Sequence, residues 1–252
     1  PILFALISII SFKKIERKFV YMFLLLLLVS IDILIFISGG RTALFNLTLA
    51  TIIIIIFTSN LKFLRTLTFF ISVIFMVLIS IFANDTKERI FDDTVSQIMS
   101  KSDSFYYLSI EHEGVFITAY RMFTDKFLFG HGPNTFRIEC KNELYNVPMY
   151  GCSTHPHNTY IQLLSETGVL GTIPIIAGLI ITIFILSQQL YYLLAHKKEK
   201  RFTDYRICLI ACIAIIIWPI SPSLNFFNNW ISILYFLPIC FIMLDEKDIQ
   251  LR

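Results

Sequence analysis

Residues 153–194, STHPHNTYIQLLSETGVLGTIPIIAGLIITIFILSQQLYYLL, decide how this chain is read. From Gly168 to Leu194 no side chain is charged, and a helix of about 20 such residues crosses the hydrocarbon core of a bilayer. Two histidines and an asparagine stand just ahead of that run. Read as continuous helix, His157, Ile161, Leu164, Gly168 and Gly171 fall within about 40° of one line, because each residue turns about 100°. That line sets a titratable ring above a glycine seam where another helix can pack closely. The stretch predicts chemistry at the point where a helix enters a membrane.

The rest of the chain has the same character. It is 56% hydrophobic and 15% charged, whereas roughly a quarter of the residues in a soluble domain carry charge. Apolar runs cover 19–37, 42–58, 66–83, 168–194 and 207–244. The last is broken by Pro219, Ser221, Pro222 and Asn225 into about 207–220 and 226–244. This predicts an all-α, polytopic integral membrane protein with about six spans, one of the last two being tilted or partly re-entrant. Residues 1–12 read as the tail of a further helix. A start at Pro1 in mid-run, without a basic leader, reads as a C-terminal fragment of a longer polytopic protein rather than a signal peptide. The expected organisation is transmembrane helices over 1–83, a large loop with amphipathic helices over 84–166, and transmembrane helices with a short tail over 167–252.

Basic residues set the orientation. Lys13, Lys14, Arg17 and Lys18 precede the first complete run, Lys62 and Arg65 separate the second from the third, and Lys197 to Arg206 hold five more. All fall on one side if the spans alternate, as does the tail with Lys247 and Arg252. The opposite side has Arg41 and the long loop, whose charges count little because long loops translocate regardless of them. The loop therefore faces outward and both ends face the cytoplasm. A net charge of +3 distributed in this way is no sign of a nucleic-acid partner.

Cys208, Cys212 and Cys240 lie in apolar runs, as small buried hydrophobes do. Cys140 and Cys152 lie in the outward loop, where an oxidising compartment favours a disulfide. Closing so short a loop contributes about 2–3 kcal/mol in the chain-entropy model. No CxxC or HExxH spacing suggests a metal.

Within the loop, Val115, Ala119, Met122 and Phe123 recur at helical spacing over 111–127 and predict an amphipathic helix facing membrane or core. Residues 84–104 are polar with weak helical periodicity, and 129–135, FGHGPNT, mark a turn. The glycines and Phe136 of 130–136 form a pattern whose backbone amides can cradle an anion, or simply turn the chain.

Four residues are candidates for chemistry or binding. His157 has the residue type of a general base near neutral pH, and a helix N-terminus disfavours its charged form. Otherwise it satisfies polar groups where the helix enters the bilayer. Asn158 or Thr154 can cap that helix. His155, held extended by Pro156, reads as a solvated loop residue, and His112 and His131 read as structural. Arg41, in SGGRTAL at 38–44, is a lone outward guanidinium with two glycines that permit close approach of a phosphate. The alternative is an interfacial anchor that snorkels to headgroups. Asp32, inside the preceding run, costs about 2.5–3.5 kcal/mol to insert and so needs an arginine partner or a polar cleft. Arg121 is either a second anion contact or an ordinary i,i+4 partner of Asp125.

In order along the chain, these pieces resemble the O-antigen ligase and polymerase superfamily of bacterial envelope proteins. The ligase-type signature is His, then Asn, Ser or Gln, nine residues, and GxxG. Here it is His157-Asn158, TYIQLLSET, then Gly168-Val169-Leu170-Gly171. SGGRTAL is similar to the family's small-residue-plus-arginine segment, and YRMFTDKFLFGHGPNTF at 120–136 resembles its arginine-bearing helix and glycine turn. The resemblance covers about 38–171.

The resemblance implies an all-helical fold of about ten to twelve spans in a complete member. It implies a bacterial inner-membrane location with the long loop in the periplasm, and no cofactor or metal. The donor implied is a glycan on undecaprenyl diphosphate, and the acceptor is lipid A-core or a growing glycan. The reaction implied is O-antigen ligation, with His157 taking or orienting the acceptor proton and Arg41 and Arg121 holding the diphosphate. Asn158, Gly168, Gly171 and Asp32 are then supporting residues. Repeat-unit polymerisation and protein O-glycosylation remain alternatives, as do, from other classes, an anion transporter lined by Asp32, Arg41 and the broken 207–244 hairpin, and a non-catalytic scaffold.

Overall fold

The computed structural model describes residues 18–59, 61–82, 110–195 and 201–250. Among these the regular structure is helical, without a strand: α1 Lys18–Ile37, α2 Arg41–Phe57, α3 Leu61–Phe82, α4 Ile110–Asp125, α5 Phe136–Glu139, α6 Thr159–Ala195, α7 Asp204–Ile216 and α8 Asn229–Gln250. The weakly periodic 84–104 stretch and residues 1–12 lie outside the described residues. The chain divides into two compact units, one of Pro1–Ser96, Thr182–Ile215 and Pro238–Arg252, the other of Gln97–Ile181 and Ile216–Leu237.

In the first unit α3 packs against both α1 and α2. Leu24 and Leu28 meet Ile54, Leu61, Cys208 and Leu209, and a second cluster joins Ile53 to Ile207, Ile210, Ala211 and Ala214. The faces turned outward are just as apolar: Met22, Leu26 and Leu34 on α1, and Phe63, Phe70 and Ile74 on α3, are all exposed. Helices hydrophobic all round suit hydrocarbon rather than water. Among the described residues, α3 and α6 are long and apolar enough to cross a membrane, while α1, α2 and α8 contribute shorter apolar stretches. With 13 residues, α7 rises only about 20 Å, too little to cross a core of about 30 Å.

A buried ion pair sits inside this unit. Arg65 donates to Asp32 at 2.7 Å, Ser72 donates to the same carboxylate at 2.9 Å, and the Arg65 Nε donates to Thr51 at 3.0 Å. Three helices thus supply one polar cluster, which settles the partner of Asp32: it is Arg65. It also corrects the reading of Arg65 as the flank of a cytoplasmic loop. Arg65 lies one turn inside α3 and is only 2% exposed, so it does not count toward the orientation rule.

Polar contacts at the other end of α2 tie two connections together. The carboxylate of Asp204 accepts the amides of Ser59 and Leu61, both at 3.2 Å. It caps α3 from a distant part of the chain. Gln189 donates to the Phe57 carbonyl at 3.0 Å and accepts the Phe202 amide at 3.0 Å. The 58–61 and 202–204 connections therefore lie together, as alternating helices require.

Candidate active site

The second unit grows from α4, whose Val115, Ala119 and Met122 pack with Phe136, Cys140, Tyr145 and Ile161. Three residues of the apolar stripe read from sequence are thus core, while the fourth, Phe123, is half-buried between Tyr120 and Phe127. Cys140 and Cys152 are joined by a disulfide, with Cα atoms 5.0 Å apart. Arg121, exposed on the other face, donates through one nitrogen to the carbonyls of Tyr145 and Asn146 at 3.3 and 3.0 Å. The i,i+4 pairing with Asp125 does not form. Asp125 instead accepts the Tyr145 hydroxyl at 2.7 Å, and this bond is the main cause that pushes the Tyr145 phenol up to about 12, ahead of burial.

The histidine motif departs from continuous helix at both of its ends. Asn158 caps α6, its side-chain oxygen accepting the amides of Tyr160 and Ile161 at 3.0 and 3.2 Å. His157 therefore lies outside the helix, in the left-handed region with φ 58°, where bulky residues are uncommon. Eleven residues on, Gly168 has φ 66° and ψ −168° and kinks α6. A Cβ there would overlap the main chain of Leu128, and one on Gly130 (φ 64°) would overlap that of Glu166. A Cβ on Gly171 would strike the Thr167 side chain, which the kink folds over it. The expected seam for a second helix is instead a seam for the 127–132 turn.

Main-chain bonds close that seam. Val169 and Leu170 donate to the carbonyls of Phe127 and Leu128 at 3.0 and 3.3 Å, and His131 and Gly132 donate to those of Ser165 and Glu166 at 3.1 and 2.7 Å. The Glu166 carboxylate accepts the Phe136 amide at 2.7 Å. The possible anion cradle of 130–136 is therefore filled by the protein's own carboxylate and carbonyls. Gln162 donates to Glu166 at 3.0 Å and to Asn225 at 2.7 Å, and accepts the Phe226 amide at 3.0 Å.

Through Asn225 and its neighbours the irregular segment 217–228 straps across the head of α6. Asn158 donates to the Pro219 carbonyl at 2.8 Å, Tyr160 to that of Ile217 at 2.6 Å, and Ser223 to that of His157 at 2.8 Å. His155 is buried rather than solvated. Its Nε2–H donates to the Ser223 carbonyl at 3.2 Å, which leaves Nδ1 to accept from Thr154 at 3.0 Å.

Three imidazoles meet here. The His155 and His112 rings lie 4.2 and 5.4 Å from that of His157, centroid to centroid, and Ser153 Oγ lies 3.1 Å from its Nε2. Burial pushes the half-buried His157 ring down to about 4, with His155 and then His112 adding to the shift. Burial likewise lowers His155, with Arg137 adding to it and the Ser223 carbonyl opposing. The ring is neutral at neutral pH, through its burial and its two histidine neighbours. Among the described residues no group of three His, Cys, Asp or Glu side chains is placed to hold a metal ion.

His157, Asn158, Gly168, Gly171, Arg121 and the cysteine pair thus share the second unit, while Arg41 and Asp32 belong to the first. Arg41 opens α2 and is exposed, behind Gly39 with φ 67° and Gly40 at the cap position, where no side-chain bond caps the helix. The sequence alone does not mark Gln162, Glu166 and Ser223 as site residues, and it marks Asn225 only as a break in the last apolar run. A signal existed for one of them: Glu166 is an acid two residues ahead of a long uncharged run, where it needs a partner.

Apolar helices long enough for a membrane, and a neutral histidine among strapped loops at the head of one, define a helical membrane-type protein with its polar chemistry at a helix end. A family model described as O-antigen ligase matches residues 22–176, more than half of the chain, and the chain belongs to that family. Membership makes it a glycosyltransferase-like enzyme of the ligase or polymerase type, acting on membrane-borne glycan substrates. The 217–228 strap lies beyond the matched stretch. No curated protein and no solved structure matches the chain.

Proposed function

We propose that the chain transfers a glycan from undecaprenyl diphosphate to an acceptor hydroxyl at the periplasmic face of the bacterial inner membrane, with lipid A-core as the acceptor. The observation that carries this reading is His157 itself, a neutral ring fixed ahead of a capped helix at the histidine of the ligase-type signature. The contact between the 58–61 and 202–204 connections supports two crossings between them, α3 and α6.

In this reaction the acceptor oxygen attacks the anomeric carbon and the bond from that carbon to the diphosphate oxygen breaks, with inversion. The electron pair leaves with the lipid diphosphate, and the hydroxyl proton passes to His157. A ring with so low a proton affinity does not deprotonate a free alcohol. It orients the hydroxyl and takes the proton as the new bond forms and the oxygen becomes acidic. The resemblance assigns the diphosphate to the guanidiniums of Arg41 and Arg121, either of which stabilises negative charge developing on a bound phosphate. Asn158 fixes the segment that carries the ring through its cap and its bond to Pro219, and Gly168 lets the 127–132 turn close on α6. The chemistry needs no cofactor, because the diphosphate donor is already activated.

The test is a surface-glycolipid gel from a deletion strain carrying full-length wild type or its His157→Ala counterpart. Bare core in the deletion, with a ladder restored by wild type alone, supports ligation. Core plus one unit in the deletion replaces ligation with polymerisation. An unchanged glycolipid pattern overturns both in favour of protein glycosylation or transport.

A further inference from the structure

The core-facing side of α4 is not its only apolar surface. Tyr120 and three residues just past the helix, Phe127, Leu128 and Phe129, are 64%, 52%, 53% and 74% exposed. They form a row rather than a scatter: the Phe123 ring lies 6.5 Å from that of Tyr120 and 5.0 Å from that of Phe127. Contiguous exposed apolar groups of this size mark a contact surface.

Its position in the unit indicates what covers it. Main-chain bonds from Val169 and Leu170 tie Phe127 and Leu128 to the head of α6, and Gly168 lets the two backbones touch. From that point α6 turns apolar, and within the same unit it presents exposed Leu170, Ile173 and Ile180. The aromatic row therefore continues the outward face of a helix long and apolar enough to cross a membrane. Aromatic rings at the head of a span belong at the bilayer–water interface. Lys126, exposed beside the row, has the long stem that reaches headgroup phosphates.

We propose that Phe127, Leu128 and Phe129, with Tyr120, are a lipid-surface anchor that enters the bilayer interface beside the head of α6. The partner is the lipid bilayer. The anchor holds α4 and the 127–132 turn at the membrane surface, and with them the histidine loops of the same unit. It rests on α6 being a span, and not on which glycan is transferred.

The test uses full-length protein in liposomes with single tryptophans added at Phe129, at the equally exposed Leu144, and at Ile180 within the apolar part of α6. Phe129→Trp is expected to add blue-shifted emission that loses most of its intensity when lipids are brominated near the headgroup end of their acyl chains. Leu144→Trp should add red-shifted emission that bromine leaves unchanged, and Ile180→Trp emission quenched from deeper bromines. Quenching at position 180 without quenching at 129 overturns the anchor alone. Quenching at neither overturns the spanning reading of α6 together with it. Equal quenching at 129 and 144 overturns the assignment of the anchor to this row.

Discussion

The Glu166 carboxylate holds the backbone amide of Phe136 at 2.7 Å, so the first segment of α6 and the glycine turn after α4 are closed on each other by a buried acid. Gln162 donates to the other oxygen and passes the contact on to the 217–228 strap. Removing the acid strands the Phe136 amide and frees one Gln162 donor. An unsatisfied buried group costs about 1–3 kcal/mol. Glu166→Ala should therefore lower the melting temperature of the purified protein and reduce transfer, whereas Glu166→Gln keeps an acceptor for Phe136 and should lose less. Equal melting temperatures for wild type and Glu166→Ala would remove the carboxylate from this role.

His157 gives a prediction about pH. Its value falls from 6.5 to about 4 in the fold, so between those limits the unfolded chain binds more protons than the folded one. Stability carries no penalty from this ring above 6.5 and declines as the pH falls toward 4. A thermal-shift series over that range should show a shallower decline for His157→Asn than for wild type, with a residual slope from His155, which is shifted the same way. Transfer should stay level from neutral pH down through 6.5, since the ring is already unprotonated. Half-loss of activity near 6.5 that disappears in the variant would show an unshifted ring. His157→Ala itself should cost about 10²–10⁴-fold in rate, the usual range for a positioned proton acceptor.

Some of this was legible in the sequence, for identifiable reasons. The apolar run after Gly168 and the stripe of Val115, Ala119 and Met122 are local periodicities, and both appear as helix. Asn158 lies where a cap belongs and is one. The kink at Gly168 was not legible, because the residues on either side keep helical spacing and the cause is the main chain of Leu128, forty residues earlier. Contacts between main chains leave no side-chain pattern, only glycines, and nothing in the sequence pairs Gly130 with Gly168. Arg65 was misplaced because a cation next to a connection resembles a loop flank. Only the position of Asp32 and Thr51 across two other helices reveals that it is buried.

The kink makes the glycines separable by mutation. Gly168→Ala and Gly130→Ala each force an L-residue into the left-handed region, at roughly 1–2 kcal/mol, before the overlap with Leu128 or Glu166 main chain is counted. Both should yield little folded protein. Gly178, whose nearest obstacle to a Cβ is an Ile217 methyl at 3.9 Å, is the control, and Gly178→Ala should express as well as wild type. Normal expression of Gly168→Ala would show that α6 runs straight.

The buried pair in the first unit calls for a double-mutant cycle. Asp32→Ala leaves the Arg65 guanidinium, 2% exposed, without its carboxylate, and breaking such a pair costs about 3–5 kcal/mol. Protein level and melting temperature in detergent should fall in Asp32→Ala and in Arg65→Met. They should partly recover in the Asp32→Ala/Arg65→Met combination, because two apolar side chains carry no charge to bury. Arg41→Ala should behave in the opposite way. Arg41 is exposed, so its loss should leave protein level intact while transfer fails, and Arg41→Lys should restore only part of the rate, since an ammonium lacks the two-pronged geometry that matches phosphate. A polar cleft running from Asp32 to Arg41, as a transporter would need, predicts instead that both single variants fold normally and fail alike. The two patterns separate a structural ion pair from a binding cation in one set of membranes.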